Sequence, residues 1–322
     1  MAVRIAFLGC GGIAGAHMNQ LAKVKQAKMV AFCDADAERA GKRAAEFGGK
    51  PYTKFEQMLR AEAFDALYVC LPPFAHEGQE ITAAKKGLHL FVEKPVSLSM
   101  DYAKKVAAAI KKAGVVSCVG YQIRYGKHVT EARKLLAGRK VDMAVARYLC
   151  SMKGMKGWWP IMAKSGGQVV EQSTHSVDLM RYLAGDVTKV YASYTLREVT
   201  DRPDWDVPDY YLVNMELASG AVAMLQSAAA YPLGWDSGVQ VVCGDMILDC
   251  GFGSLKVLRP GKEPKVIEGG GDPMLTQDST FVRAVASGKQ DAIRSSYADG
   301  AKTLAVTLAA NESAAKGQPV SL

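Results

Sequence analysis

The sequence predicts an α/β protein in which a doubly wound parallel sheet is followed by an α+β domain with a mostly antiparallel open sheet. Strand and helix patterns alternate through residues 1–122, and each strand is almost continuously apolar. Such strands are typical of a parallel sheet covered on both faces. From residue 123 the alternation stops and hairpin patterns take over. The predicted domains are therefore residues 1–122 and 123–322.

The elements of the first part follow one another at regular intervals. Ser99 is a suitable N-cap for a helix through Ala113, and Gly114 is placed as its C′ residue. The predicted strands are residues 4–9, 29–34, 65–73, 88–95 and 115–121. The other predicted helices run from the first glycine turn to about Lys25, over 36–47 and 54–60, and from His76 to Lys86.

The second part mixes strands and helices in separate groups. Hairpins are expected around Ser219-Gly220 and Gly244-Asp245. The hairpins span 210–230 and 239–250, single strands are predicted at 144–150 and 187–194, and helices at 168–184, 275–287 and 299–315. This arrangement favours an antiparallel sheet with helices on one face. We expect the two parts to pack closely around a ligand-binding cleft.

Composition narrows the class of protein. A hydrophobic fraction of 49% and a charged fraction of 22% are typical of soluble globular proteins. The sequence has no apolar run long enough to cross a membrane and no signal-peptide pattern. Its seven cysteines are scattered without a CxxC pair, which argues against a disulfide framework and against a zinc site. We therefore expect a cytoplasmic protein without a membrane partner or a metal.

The net charge of +8 raises the question of nucleic-acid binding. Lysines and arginines alternate with acidic residues along the chain, and no known nucleic-acid-binding motif is present. We expect no nucleic-acid partner. Attraction of small anions is the simpler interpretation of the charge.

A glycine turn follows the first strand and opens the first helix. Gly9, Gly11 and Ala14 in GCGGIAG fit the G-x-G-x-x-A pattern. The first glycine permits a tight turn, the second lets the backbone approach a pyrophosphate, and the small third residue lets helix and strand pack closely. With Gly12 and Ile13, these residues predict a Rossmann-type dinucleotide site at the N-terminus of a helix.

Asp34 ends the second strand, where an acid binds the ribose 2′-hydroxyl and repels a 2′-phosphate. NAD is therefore expected in preference to NADP. Arg39 and Arg43, which lie nearby in the sequence, are the features that would suit a phosphate instead. A glycine turn and a surface aspartate without any ligand are the alternative.

Two further segments follow strands and should face the same crevice, because ligands bind outside the carboxyl ends of parallel strands. Lys94 follows a buried strand directly, where it could orient a hydroxyl or take part in its proton transfer; a solvated loop lysine is the alternative. The remaining residues expected to contact the cofactor are Leu71, Pro72, His76, Glu93 and Gln122.

The segment SGGQVVEQSTHSVDLM carries an unusual polar stripe. On a single helix, Glu171, His175 and Asp178 fall on one face, which Tyr182 continues. A solvated face is the simplest explanation, but such a face usually carries lysines and this one has none. The stripe is therefore a candidate for chemistry.

Taken together, these motifs resemble the Gfo/Idh/MocA oxidoreductases, a family of pyridine-nucleotide sugar and cyclitol dehydrogenases. The resemblance rests on GCGGIAGAH (9–17), LPPFAH (71–76), VEKPVS (92–97), GYQIRY (120–125) and SGGQVVEQSTHSVDLMRYLAG (165–185). It implies that Lys94 contacts the reacting hydroxyl, that His175 donates or accepts its proton, and that Asp178 binds substrate. Glu171 stands where many members have aspartate, so its role stays open.

Three more residues are candidates for substrate binding. Trp158 and Trp159 suit the face of a sugar ring, although paired tryptophans also serve as core anchors. Arg124, within GYQIRY, completes the predicted substrate site. The substrate is expected to be a small polyol.

The predicted function is hydride transfer between a ring secondary hydroxyl of a sugar, glycoside or cyclitol and NAD. The alternatives are a glycoside hydrolase that uses NAD as a transient oxidant and a dinucleotide-binding sensor without catalysis. The sequence leaves open which sugar, which carbon and which direction. A homodimer or homotetramer is also expected, because residues 210–217 place apolar side chains on both faces of a strand.

Overall fold

The first sheet has six parallel strands in the order β3-β2-β1-β4-β5-β6 in the structure, a computed structural model that describes residues 2–322. Its strands are β1 (Val3–Leu8), β2 (Ala27–Cys33), β3 (Lys50–Tyr52), β4 (Ala66–Val69), β5 (His89–Val92) and β6 (Ser117–Val119). The doubly wound parallel sheet is thereby confirmed. The short edge strand β3 was missed, because its sequence KPY has neither an apolar run nor buried residues.

Helices connect these strands as the alternating pattern predicts. They are α1 (Gly12–Leu21), α2 (Ala37–Phe47), α3 (Phe55–Ala61), α4 (Gln79–Lys85) and α5 (Met100–Ala113). The cap of α5 is confirmed: the Ser99 hydroxyl accepts the Tyr102 N–H at 3.3 Å, and Gly114 has a φ of 66°. Helix α4 begins later than predicted, because Pro73–Ala75 forms a separate 3-10 turn and Gly78 is left-handed.

The second sheet has nine strands in the order β14-β13-β12-β11-β7-β10-β9-β8-β15. They are β7 (Met143–Leu149), β8 (Val187–Thr195), β9 (Tyr210–Leu217), β10 (Val222–Ala228), β11 (Asp236–Cys243), β12 (Met246–Gly251), β13 (Ser254–Arg259), β14 (Lys262–Glu268) and β15 (Val320–Ser321). Only β7 and β10 run parallel to each other among these neighbours in residues 2–322. The mostly antiparallel sheet and both predicted hairpins are confirmed.

The polar stripe lies on two helices and not on one. The remaining helices are α6 (Lys127–Leu136), α7 (Met162–Ser165), α8 (Gly167–Glu171), α9 (Thr174–Ala184), α10 (Pro273–Ser287) and α11 (Tyr297–Lys316). The single helix predicted over 168–184 is therefore wrong. The helix is interrupted at Gln172 and Ser173. There the Ser173 N–H donates to the Gln168 carbonyl, five residues earlier, at 2.8 Å. Glu171 consequently ends α8, and His175 belongs to α9.

The chain forms two compact units, and their division differs in one respect from the predicted domains. The first unit contains the chain up to Gln122 together with Asp272–Ala301; the second contains Ile123–Gly271 and Lys302–Leu322. Helix α10 belongs to the first unit because Phe281 packs its ring 5.5 Å from those of Tyr68 and Phe91. A continuous domain over 123–322 therefore needs correction. Within residues 2–322, no helix has the length and apolarity that crossing a membrane requires.

Candidate functional site

The glycine turn of the first unit borders open space. Gly9 has a φ of 88°, and a Cβ there would lie 2.3 Å from the carbonyl oxygen of Cys70, so a side chain is excluded. A Cβ on Gly11 or Gly12 would meet nothing within 4 Å. The first turn of α1 contains no acidic residue, and no side chain caps Gly11. The amide groups at this helix end therefore face a space suited to an anion.

Ile13 and Ala14, the next two residues of the turn, differ in burial. Ile13 leaves its side chain largely exposed beside the turn, whereas Ala14 is completely buried. A larger residue than Ala14 would push α1 away from the sheet, which is the packing role expected for the third position of the motif.

Asp34 lies at the carboxyl end of β2, against the glycine turn. Its carboxylate accepts the Cys10 N–H at 2.8 Å and the Asp36 N–H at 2.9 Å. Arg39 approaches it at 3.7 Å and also pairs with Asp36 at 2.9 Å. Arg43 pairs with a neighbouring glutamate at 2.8 Å. Arg39 and Arg43, the two arginines that could favour a 2′-phosphate, thus both form ion pairs with carboxylates of the protein.

The segment after β4 holds a fixed histidine. Leu71 and Pro72 are partly buried, and His76 is held through Nδ1 by Glu80. The other Glu80 oxygen accepts the Tyr102 hydroxyl at 2.6 Å. His76 Nε2 is buried and has no hydrogen-bond partner. Its cofactor contact stays a prediction, and Nε2 is the atom available for it.

A buried charged cluster, which sequence reasoning missed, surrounds Glu93. His17 Nε2 bonds to Glu93 Oε1 at 2.9 Å, and His17 Nδ1 bonds to both carboxylate oxygens of Asp278 at 2.9 Å. Tyr68 donates to Asp278 at 3.2 Å. Burial opposes charge on the imidazole, but the two carboxylates outweigh it and raise the pKa of His17 to about 10.

Glu93 links this cluster to the backbone of Lys94. One of its oxygens binds His17 and the other accepts the Lys94 N–H at 3.0 Å. Glu93 thus holds the backbone at Lys94, and its predicted cofactor contact stays a prediction. Lys94 is partly buried and joined to Pro95 by a cis peptide bond, and Gln122, also partly buried, begins a 3-10 turn.

In the second unit, His175 lies in the first turn of α9 and is nearly buried. Its ring meets that of Phe252 edge-on, with centroids 6.3 Å apart. Glu171 is also buried, and its carboxylate accepts the Gln172 side-chain amide at 2.8 Å. Gln172 in turn accepts the Tyr148 hydroxyl at 2.6 Å. Glu171, Gln172 and Tyr148 are thus joined by side-chain hydrogen bonds.

Arg124 and Asp178 form a buried two-contact ion pair. Arg124 donates from Nε at 2.7 Å and from Nη2 at 2.6 Å, and Thr303 adds a third bond to the same carboxylate at 3.0 Å. The guanidinium also lies over the Tyr182 ring at 4.7 Å. Both residues were predicted to contact substrate. Those contacts stay predictions. The ion pair fixes both side chains, because each satisfies the other's charge.

Trp158 and Trp159 stack on each other with centroids 5.5 Å apart, and both are half-buried. Their contact with a sugar stays a prediction. Among residues 2–322, no group of three or more His, Cys, Asp or Glu side chains is arranged to hold a metal ion.

Comparison with known proteins decides the family. Residues 3–121 match the model of the GFO_IDH_MocA oxidoreductase family with an NAD-binding Rossmann fold, and residues 131–247 match that of its C-terminal domain. The chain belongs to the Gfo/Idh/MocA family. It is an oxidoreductase, and its first unit is an NAD-binding Rossmann domain whose glycine turn and Asp34 fit the dinucleotide.

Several relatives are similar over most of their length. The scyllo-inositol 2-dehydrogenase (NAD(+)) of Bacillus subtilis is 27% identical over 245 residues, which cover 74% of this chain and 71% of the relative. The myo-inositol 2-dehydrogenase of Thermotoga maritima is 24% identical over 334 residues, covering 99% and 98%. A levoglucosan dehydrogenase in complex with NADH has a TM-score of 0.90 at 20% identity, with 100% and 99% coverage, and thus shares the fold.

Proposed function

We propose that this oxidoreductase transfers a hydride between a secondary hydroxyl on the ring of a sugar, glycoside or cyclitol and NAD. The observation that carries the proposal is the nearly buried imidazole of His175, in a family whose first unit binds NAD. Histidine is the side chain best suited to take a proton near neutral pH. The inositol dehydrogenases among the relatives support a cyclic polyol as the substrate.

The residues of the chain bind the cofactor and manage a proton. NAD, when bound, supplies the acceptor for the hydride. The amide groups at the start of α1 hold its pyrophosphate and Asp34 holds its ribose, which favours NAD over NADP. Lys94 contacts the reacting hydroxyl and His175 accepts its proton. Glu171 either orients the imidazole or is itself the base.

The two alternative functions are a transient-oxidation glycoside hydrolase and a sensor without catalysis. Neither is favoured, because the named relatives are dehydrogenases. The measurement that separates them is NADH release: a dehydrogenase accumulates NADH with each turnover, whereas such a hydrolase returns it to NAD.

The test is a screen of sugars, glycosides and inositols with NAD and with NADP, followed by His175→Ala on the best substrate. Turnover should fall by about 10²–10⁴-fold while NAD affinity stays nearly constant. Glu171→Gln should cost less if Glu171 only orients the imidazole, and as much if it is the base. Near-normal turnover of His175→Ala would remove His175 from the proton path, and tighter binding of NADP would contradict the role of Asp34.

We also propose that the protein is a homodimer or homotetramer that associates through the outer face of the second sheet. The inner side of β9 is buried, but Leu212 on its outer side is 52% exposed. Val222 on β10 is 57% exposed and pairs with the exposed Met143 of β7. Exposed apolar patches of this kind mark association surfaces. Light scattering at micromolar concentration should give a multiple of 34.5 kDa, and a monomer mass would refute the proposal.

We propose a cytoplasmic location as well. All seven cysteines are free and buried, which suits a reducing compartment. Cell fractionation tests this, and recovery outside the cytoplasm would contradict it.

A further inference from the structure

Three aromatic residues of the second unit lie at one end of its sheet. Tyr148 is the penultimate residue of β7, Trp235 directly precedes β11, and Phe252 directly follows β12. The strand register brings these positions to the same end, because β7 ends opposite the first residue of β11, and Gly238 of β11 pairs with Gly251 of β12. Residues distant in the sequence therefore form one cluster.

The rings form a continuous row that begins at His175. Phe252 lies 6.3 Å from the imidazole, Tyr148 lies 6.0 Å from Phe252, and Trp235 lies 5.6 Å from Tyr148. Exposure changes sharply along the row: Tyr148 is 2% exposed, whereas Trp235 is 64% exposed. The indole at the outer end thus rests on a fixed aromatic base and presents most of its surface to solvent.

Polar groups accompany this row on its buried side. The Tyr148 hydroxyl donates to Gln172, whose amide donates to Glu171. A cyclic polyol has the matching character, with C–H groups on its ring faces and hydroxyls around its edge. An aromatic face and a set of hydrogen-bonding groups side by side are what such a ring requires.

We propose that Trp235 is the stacking residue for the substrate ring and that it selects cyclic over acyclic polyols. The proposal rests on the proposed dehydrogenase function. It gives Trp235 the role that the sequence also suggested for Trp158 and Trp159, whose own contact with a sugar stays a prediction. The segment YPLGW carries the sequence signal, because large apolar side chains exposed together often mark a ligand-binding surface.

The experiment compares Trp235→Ala and Trp235→Phe in the NAD-bound enzyme. Leu233→Ala is the matched control, since Leu233 is 76% exposed on the same loop. With myo-inositol or D-glucose, Trp235→Ala should raise KM by about tenfold with kcat within about twofold. Trp235→Phe should recover most of the loss, and Leu233→Ala should match the wild type. With acyclic D-sorbitol the three variants should agree.

Different failures are distinguishable. Unchanged KM in Trp235→Ala, while His175→Ala is inactive, overturns the stacking role and leaves the dehydrogenase function intact. A change of mass of Trp235→Ala in light scattering makes Trp235 a subunit contact and also overturns it.

If no ring polyol is turned over at all, the proposed function fails, and binding still tests Trp235. Tryptophan fluorescence titrated with myo-inositol and with D-glucose should be quenched in the wild type and unaffected in Trp235→Phe. Equal responses in both proteins, or no response in either, overturn the inference.

Discussion

A buried charged cluster of the first unit and one of the second differ in the cation at their centre. In the first unit His17 lies between Glu93 and Asp278; in the second, Arg124 faces Asp178. An imidazolium loses its charge when its proton leaves, whereas a guanidinium keeps its charge at any pH a protein tolerates. We therefore expect alkali to weaken the His17 cluster and to leave the Arg124 pair unchanged.

The largest effect is expected from Asp178→Ala. It leaves the buried Arg124 guanidinium without its carboxylate, and removal of one partner of a buried pair typically destabilises by about 3–5 kcal/mol. Urea denaturation measures the loss. Asp178→Asn, which keeps one acceptor oxygen, serves as the milder control. A loss below about 1 kcal/mol would show that Arg124 finds other partners.

The second prediction concerns pH and the His17 cluster. The pKa of His17 is about 10 in the folded protein and 6.5 in the unfolded chain, so the folded state holds this proton more tightly. The resulting stability is complete below pH 6.5 and is lost as the pH rises through 10, by an amount on the order of 5 kcal/mol. Urea midpoints between pH 6 and pH 10.5 measure it.

His17→Gln provides the control for that titration, because it has no proton to lose in this range. Its stability should be lower than that of the wild type at pH 6, and the difference should shrink toward pH 10.5. The deficit of Asp178→Ala should instead stay constant over the same range. A constant deficit for His17→Gln would mean that His17 is neutral in the folded protein.

The smallest effect is expected at an exposed pair of similar geometry. Arg4 donates to Asp65 from Nε at 3.3 Å and from Nη2 at 2.8 Å, but both side chains are exposed. Exposed pairs contribute little, because water and salt screen them. Arg4→Ala should shift Tm by less than about 2 °C. A larger shift in Tm would show that the geometry of an Arg–Asp pair, and not its burial, determines how much the pair stabilises the protein.

Much of the first unit was predictable because its signals are local. The glycine turn, Asp34 and the Ser99 cap are each read from a few consecutive residues, and the structure places them accordingly. The break between α8 and α9 was not predictable from the sequence, because the apolar pattern of the helix continues across it. At this break the Ser173 hydroxyl bonds to the Ser227 hydroxyl at 2.7 Å, and a contact between residues 54 positions apart leaves no local signal.

The buried clusters illustrate the limit of local signals for the site. His17 ends the segment GCGGIAGAH, but its ion pair was not predicted, because its partner Asp278 lies 261 residues further along the chain. The ion pair of Asp178 was not predictable either, because its partner Arg124 lies 54 positions before it. Long-range ion pairs are fixed by tertiary packing, which periodicity does not encode.

The return of α10 to the first unit has a consequence for how this protein is made. Synthesis proceeds from the N-terminus, so residues up to Gln122 emerge long before Asp278 and Phe281 exist. Until then His17 faces a single acid, and the side of the sheet around Tyr68 and Phe91 lacks its apolar cover. Residues 123–271 are thus inserted between the two segments of the first unit. A gene fragment that ends at Gln122 encodes a nucleotide-binding domain without helix α10.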